Sequence, residues 1–233
     1  MLDLTLQGAQ GGETVKPGRW APPPSHLAYC IERGAVTLLD IRRDRYFGLP
    51  PALEATFVDL AAGGFWISSS SPQIGRLVAL GLLAEGPAPS TTPIPPVCTG
   101  WLDDAPIVRA SPRNILAAGR AVLDARLLQT RGFASVIESL RARRSGAMAP
   151  DLGRLRDEVC AFQAGRPWIP VKPVCLLDSL ALLKFLEARS LSSTLVFGVI
   201  RRPFAAHCWL QVDDIVINDH LDHVREYQPL LAV

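Results

Sequence analysis

From residue 27 the chain reads as short apolar runs separated by turn residues. Residues 26–32 (HLAYCIE), 35–41 (AVTLLDI) and 45–49 (RYFGL) are such runs, with Arg33-Gly34 and Arg42-Arg43-Asp44 between them. Three runs joined by two tight connections predict an antiparallel meander. Alternation puts Tyr46 and Phe47 on opposite faces of the third strand, so at most one of them is expected in a core. Pro50-Pro51 ends that strand and suits the first turn of a helix running to about residue 62. Ser71-Pro72 then caps a second helix with Ile74, Leu77, Val78, Leu80 and Leu82 as its apolar set.

Either side of this block the period is lost. In residues 1–26, Gly8, Gly11, Gly12, Pro17 and Pro22-Pro23-Pro24 break any repeat, and a flexible lead-in is expected. Residues 86–96 (GPAPSTTPIPP) carry five prolines, which neither a helix nor a central strand tolerates. They read as a semi-stiff spacer and place a Pro-rich linker at 87–98, between a domain at 27–86 and a second at 99–233. After Trp101 the pattern is helical. Ser111-Pro112 opens a helix with Ile115, Leu116, Val122, Leu123, Leu127 and Leu128. Gly132-Phe133 opens a second, to about residue 144. Asp151 opens a third, on which Cys160 falls with the apolar set Leu152, Leu155, Val159 and Phe162. Arg141, Arg143 and Arg144 read as a solvated helix end near the negative pole of the dipole rather than as an anion site. Trp168 stands a short way before Cys175; it is expected to be buried, with walling a substrate cleft as the alternative.

The last quarter carries the chemistry. Pro173 precedes Cys175, and Leu176, Leu177, Leu180, Leu183 and Leu186 mark a helix. Cys175 therefore sits at or near a helix N-terminus, where unpaired N–H groups and the positive dipole end favour a thiolate. A lone cysteine at a helix start is more often a small buried residue than a nucleophile. The strands that follow change that balance. Residues 195–200 are an apolar run, 207–212 alternate, Asp213-Asp214 is a turn signal, and 215–219 return. A two-residue loop would pair His207 with His220; a three-residue loop with a bulge would pair His207 directly with Asp219. The second register is the expected one, because opposed residues have Cβ atoms about 4.5–5.5 Å apart, close enough for a carboxylate to hold an imidazole. Cysteine, histidine and aspartate in that order can supply a nucleophile, its base and the group that orients the base. A metal site from Cys175, His207 and Cys208 is disfavoured, since adjacent strand residues point to opposite faces.

Composition adds exclusions. The 233 residues are 48% apolar and 20% charged with a net charge of +2, ordinary for a globular core and without the excess that a nucleic-acid partner requires. No apolar run is long enough to span a membrane, and the N-terminus lacks the pattern of a signal peptide. Five cysteines at 30, 98, 160, 175 and 208, with no C-x-x-C pair, read as thiols in a reducing cytoplasm.

Three blocks carry a family resemblance: Cys175-Leu176-Leu177-Asp178-Ser179-Leu180-Ala181-Leu182, Phe204-Ala205-Ala206-His207-Cys208-Trp209, and Ile217-Asn218-Asp219. Together they resemble the transglutaminase-like leader peptidases of lasso peptide biosynthesis, the B proteins. Cys208 stands where a small residue is usual, and Asp214 where a glycine is more usual. The resemblance implies a cysteine endopeptidase with Cys175 as nucleophile, His207 as base and acid, and Asp219 as orienter, using no cofactor and no metal. It further implies as partners a ribosomally made precursor peptide and an ATP-dependent lasso cyclase, and neither nucleic acid nor membrane. Gly34-Ala35-Val36, Leu39-Asp40 and Arg45-Tyr46-Phe47-Gly48-Leu49 resemble the PqqD-like leader-recognition domain, which implies leader binding along the third strand at Arg45, Tyr46, Phe47 and Leu49. The fold class expected is α+β: a small three-stranded antiparallel sheet with helices, PqqD-like and winged-helix-like, then the linker, then a transglutaminase- or papain-like α+β domain. Acyl transfer to an amine, or a non-catalytic leader-binding adaptor, are the alternatives to peptide hydrolysis.

Overall fold

The computed structural model describes residues 18–69, 71–87, 96–102, 109–142 and 151–233. The expected meander is present as β2 (Leu27–Glu32), β3 (Ala35–Asp40) and β4 (Arg45–Gly48), in that order across an antiparallel sheet. Its first turn is Arg33-Gly34 with φ of 50° and 78°, the left-handed pair that a two-residue hairpin needs and that glycine supplies without strain. In the second turn the buried Asp40 carboxylate accepts from the N–H groups of Arg42 and Arg43 at 3.0 and 3.2 Å. Helix α1 (Pro51–Ala62) starts on its proline, and α2 (Pro72–Ala79) is capped by Ser71 Oγ, which accepts from Ile74 N–H at 3.2 Å. The spacer residues 88–95, Arg143 and Arg144 lie outside the described residues.

Residues 18–26, expected as part of a flexible lead-in, are held in place. Within them β1 (Arg19–Trp20) pairs with β5 (Trp66–Ile67), and Ala21 is buried. The Trp20 and Trp66 rings meet edge-on at 4.8 Å, a contact no local pattern announces.

The second part holds β6 (Gly100–Trp101), the helices α3 (Pro112–Gln129), α4 (Phe133–Ala142), α5 (Leu152–Gly165) and α6 (Cys175–Glu187), and then β7 (Thr194–Ile200), β8 (Ala205–Val212), β9 (Ile215–Val216), α7 (Leu221–Arg225) and β10 (Gln228–Ala232). The strand order is β10-β7-β8-β9-β6, antiparallel except for the parallel β9–β6 pair. α6 is apolar nearly all round because it is buried between this sheet and α3 and α5. The face of α3 turned to it is made of Ala118, Ala121, Val122 and Ala125, while Leu116, Leu123 and Leu127 are exposed. Small residues let the two helix axes approach closely, so alanine rather than leucine marks the core side here.

The three-stranded sheet is covered on both faces. Val36 and Leu38 pack with Phe57 and Leu77 under α1 and α2. Ala28, Cys30, Leu39 and Ile41 join the large core of the second part, where β10 runs beside β2. Tyr46 and Phe47 do point to opposite faces, but each packs against a core, Tyr46 on the second part and Phe47 on the first. The expectation that at most one would do so assumed one solvated face. Arg201 in the β7–β8 turn adds an ion pair at 3.2 Å to Glu54 of α1, whose same oxygen accepts from Val36 N–H at 2.8 Å.

Candidate active site

Cys175 is the first residue of α6, after an extended Val174 whose side chain makes no cap. The segment that leads into it is braced by the nearly buried Arg166, which donates to Asp178 at 2.7 Å and to the carbonyls of Val171 and Ile169 at 3.0 and 3.4 Å. Cys175 is exposed, whereas the other four cysteines are buried. Trp168 in the same approach is 67% exposed, against the expectation that it is buried; the turn that carries it, Arg166–Trp168, holds no buried residue. A cavity of about 210 Å³ opens beside the first turns of α6, lined in part by Arg166, Asp178 and Asn218.

His207 lies on β8 opposite Gly198 of β7. A Cβ at Gly198 would come within 2.8 Å of the Trp209 ring and 2.9 Å of Tyr227 Cβ, so the glycine leaves room for the aromatic wall around the imidazole. The Trp209 ring stacks toward His207 at 6.1 Å with the planes 24° apart, and the Tyr227 ring stands 5.2 Å from it. Trp209 is itself fixed by its indole N–H, which donates to the buried Gln211 at 3.0 Å.

Asp219 reaches His207, with Nε2 and Oδ2 2.5 Å apart, but not by the expected register. β8 and β9 pair as Gln211↔Val216 and Val212↔Ile215, so the loop is the two residues Asp213-Asp214, not three with a bulge. Asp213 takes φ 50°, which aspartate tolerates. In this register Asp219 would not oppose His207. The ladder instead gives out after Val216 and the chain bends through residues 217–219. Asn218 makes the bend: its Oδ1 accepts from Leu210 N–H at 2.7 Å, and its Nδ2 donates to Ser179 Oγ of α6 at 2.9 Å. Ser179 donates onward to the Cys208 carbonyl at 3.3 Å, tying β8 to the first turns of α6.

The three groups are brought together and shift one another. The neighbouring Cys208 thiol and the His207 ring, acting against burial, lower Cys175 to about 4. Burial alone would lower His207, but Asp219 and Cys175 outweigh it and raise it to about 9. Burial likewise works to raise Asp219, and hydrogen bonds from His207, His223 and the His220 N–H hold it at about 2. The Cys208 thiol is pushed up by the Cys175 thiolate beside it and by burial. The site thus favours a thiolate–imidazolium pair, with Nδ1 of His207 the nitrogen left for the sulfur. Residues beyond the three expected also belong here: Asn218 and Ser179, which lie inside the motif blocks, and His223, one helical turn past Asp219. His207, Asp219 and His223 place ligand atoms within 4.8 Å of one another, a donor set that a divalent cation could also use.

Of the residues expected to bind a leader, Arg45 is exposed, Phe47 and Leu49 are half-buried, and Tyr46 faces the site. The Tyr46 ring lies 5.5 Å from Phe204, in the turn just before β8. Burial raises its phenol to about 12, and the charges of Asp44, Cys208 and Cys175 add to the effect.

Residues 119–232, just under half of the chain, match the family model of the transglutaminase-like superfamily. The microcin J25-processing protein McjB of Escherichia coli is 44% identical over 48 residues, which is 21% of this chain and 23% of that protein. The match thus spans about a quarter of the relative's length. No solved structure matches the chain significantly. The superfamily match and the partial likeness together support the resemblance to the lasso peptide B proteins. No helix among the described residues is long and apolar enough to cross a membrane.

Proposed function

We propose that the protein is a cysteine endopeptidase that removes the leader from a lasso peptide precursor and so frees the core N-terminus for an ATP-dependent cyclase. The observation that carries the reading is the exposed Cys175 at a helix start, paired with a His207 that Asp219 holds. The Cys175 sulfur attacks the scissile carbonyl, with the Cys175 N–H as an oxyanion donor. His207 gives its proton to the leaving amine, then takes one from the water that releases the acyl group. The relative's name, a processing protein for microcin J25, accords with this role.

Leader recognition falls to the PqqD-like part at residues 27–86. β4 pairs only with β3 among the described strands, so its outer edge can receive an extended peptide as a further strand. Arg45 sits at the start of that edge, and Phe47 and Leu49 contribute to the apolar wall behind it. Tyr46 connects the strand to the site through Phe204.

The test is to incubate the full chain with the precursor encoded beside it and to follow mass. The wild type releases intact leader and core. Cys175→Ala binds the precursor but slows cleavage by at least about 10³-fold. Normal cutting by Cys175→Ala sinks the proposal, and an amine adduct in place of a free carboxylate moves the activity to acyl transfer.

A further inference from the structure

His223 takes no part in the reaction just described, yet it is joined to the site on its outer side. Its Nδ1 lies 3.0 Å from each carboxylate oxygen of Asp219. The two residues are spaced i,i+4, so the turn of α7 carries the ring back over the carboxylate. The His220 N–H adds a bond of 2.7 Å to Oδ1, and Oδ2 is the oxygen that meets His207. The His223 ring stands 4.8 Å from His207 and is met edge-on by Tyr227 at 5.4 Å.

Asp219 needs such a hold. It lies past the end of β9, and no ladder fixes its backbone opposite His207. The His220 N–H at Oδ1 and the His207 ring at Oδ2 each hold one oxygen, and neither lies across the carboxylate. A donor that spans both oxygens fixes its plane. We propose that His223 is a positioning residue, which sets the rotation of the Asp219 carboxylate and through it the angle at which the His207 ring faces Cys175. The geometry stands by itself; the kinetic consequence rests on the peptidase reading. The hold requires only an Nδ1–H, which the neutral ring has in one tautomer and the imidazolium always has. The ionisable groups around Asp219 are His207 and Cys208 from β8, Cys175 from α6, the adjacent His220, His223 from α7 and Tyr227 beyond it. Arg225 of α7 is directed away, to the Cys98 carbonyl at 3.3 Å.

Three substitutions separate this role from simple packing. The amide nitrogen of His223→Asn occupies roughly the place of Nδ1, while that of His223→Gln reaches only the place of Nε2; His223→Ala removes the donor. The first readout needs no substrate: the pH dependence of Cys175 alkylation by iodoacetamide in the full chain, located by peptide mass. The other four thiols are buried, which directs the reagent to Cys175. His223→Asn keeps the wild-type profile. In His223→Ala and His223→Gln the poorly held carboxylate stabilises the imidazolium less, so the alkaline limb moves down by about one pH unit. On the precursor, kcat falls on the order of tenfold in these two, with KM changed less than about twofold. One shared profile for all four proteins overturns the proposal, as does rescue by Gln equal to rescue by Asn. An ordinary free-thiol profile in the wild type overturns it too. If the profiles differ as stated but no leader is released, the peptidase reading fails and the positioning role stands.

Discussion

Two hairpins in this molecule make opposite use of the same pairing rules. β3 and β4 run as a continuous ladder from Thr37↔Gly48 to Asp40↔Arg45, and every side chain falls on the face that a period of two dictates. β8 and β9 keep only two pairs, after which the chain leaves the ladder. The regular hairpin offers what regularity can offer, an edge and two packed faces. The interrupted one does what its own register would not do, since continued pairing would set His207 against His220. Asn218 makes the departure affordable by supplying Leu210 N–H with the acceptor it would otherwise lack. An edge and packed faces can be built from periodicity, whereas the contact between His207 and Asp219 depends on breaking it.

That contrast can be tested where the break ends. Asp219→Asn keeps the shape of the contact but loses its charge, and a fall of about 10²–10⁴ in kcat is expected. The wild-type rate should rise with pH through about 4, as Cys175 gives up its proton, and fall through about 9, as His207 gives up its own. Asp219 raises His207, so the Asn variant should lose its alkaline limb at lower pH. An unchanged limb would mean that the carboxylate does not hold the imidazolium.

Asn218→Ala attacks the bend itself. It strands the Leu210 N–H and takes from Ser179 Oγ the donor that ties it to the bend, and should cost about 1–3 kcal/mol in urea unfolding and about tenfold in rate. Loss of stability with no loss of rate would show that Asp219 finds His207 without the bend. The smallest effect is expected on the regular side. Arg45→Glu on the exposed edge should weaken precursor binding about threefold and leave kcat unchanged; equal binding by titration would remove Arg45 from the recognition surface.

What the sequence disclosed follows from the range of each signal. Arg33-Gly34, Ser71-Pro72, Ser111-Pro112 and the start at Cys175 are set by interactions within a few residues, and they stand where the pattern put them. The Cys175, His207 and Asp219 side chains meet as the motif blocks imply, but by a path the hairpin arithmetic did not contain. A side chain, that of Asn218, replaces the backbone partner there, and alternation describes backbones. Tyr46 and Trp168 depart from their expected burial for a related reason. Whether a face is covered depends on strands and helices far away in the chain, and neither residue's neighbours report it. His223 did have a local signal, the i,i+4 spacing from Asp219, but only once residues 221–225 are known to be helical.

The shared cover over β2 and β3 bears on any attempt to dissect the protein. Severing the chain at the spacer would strip Ala28, Cys30, Leu39 and Ile41 of their partners and leave a sticky greasy flank on the smaller fragment. Two such fragments made side by side should seek each other out and dock again. A free-standing version of residues 27–86 would need those four positions repainted with polar residues before it could live alone.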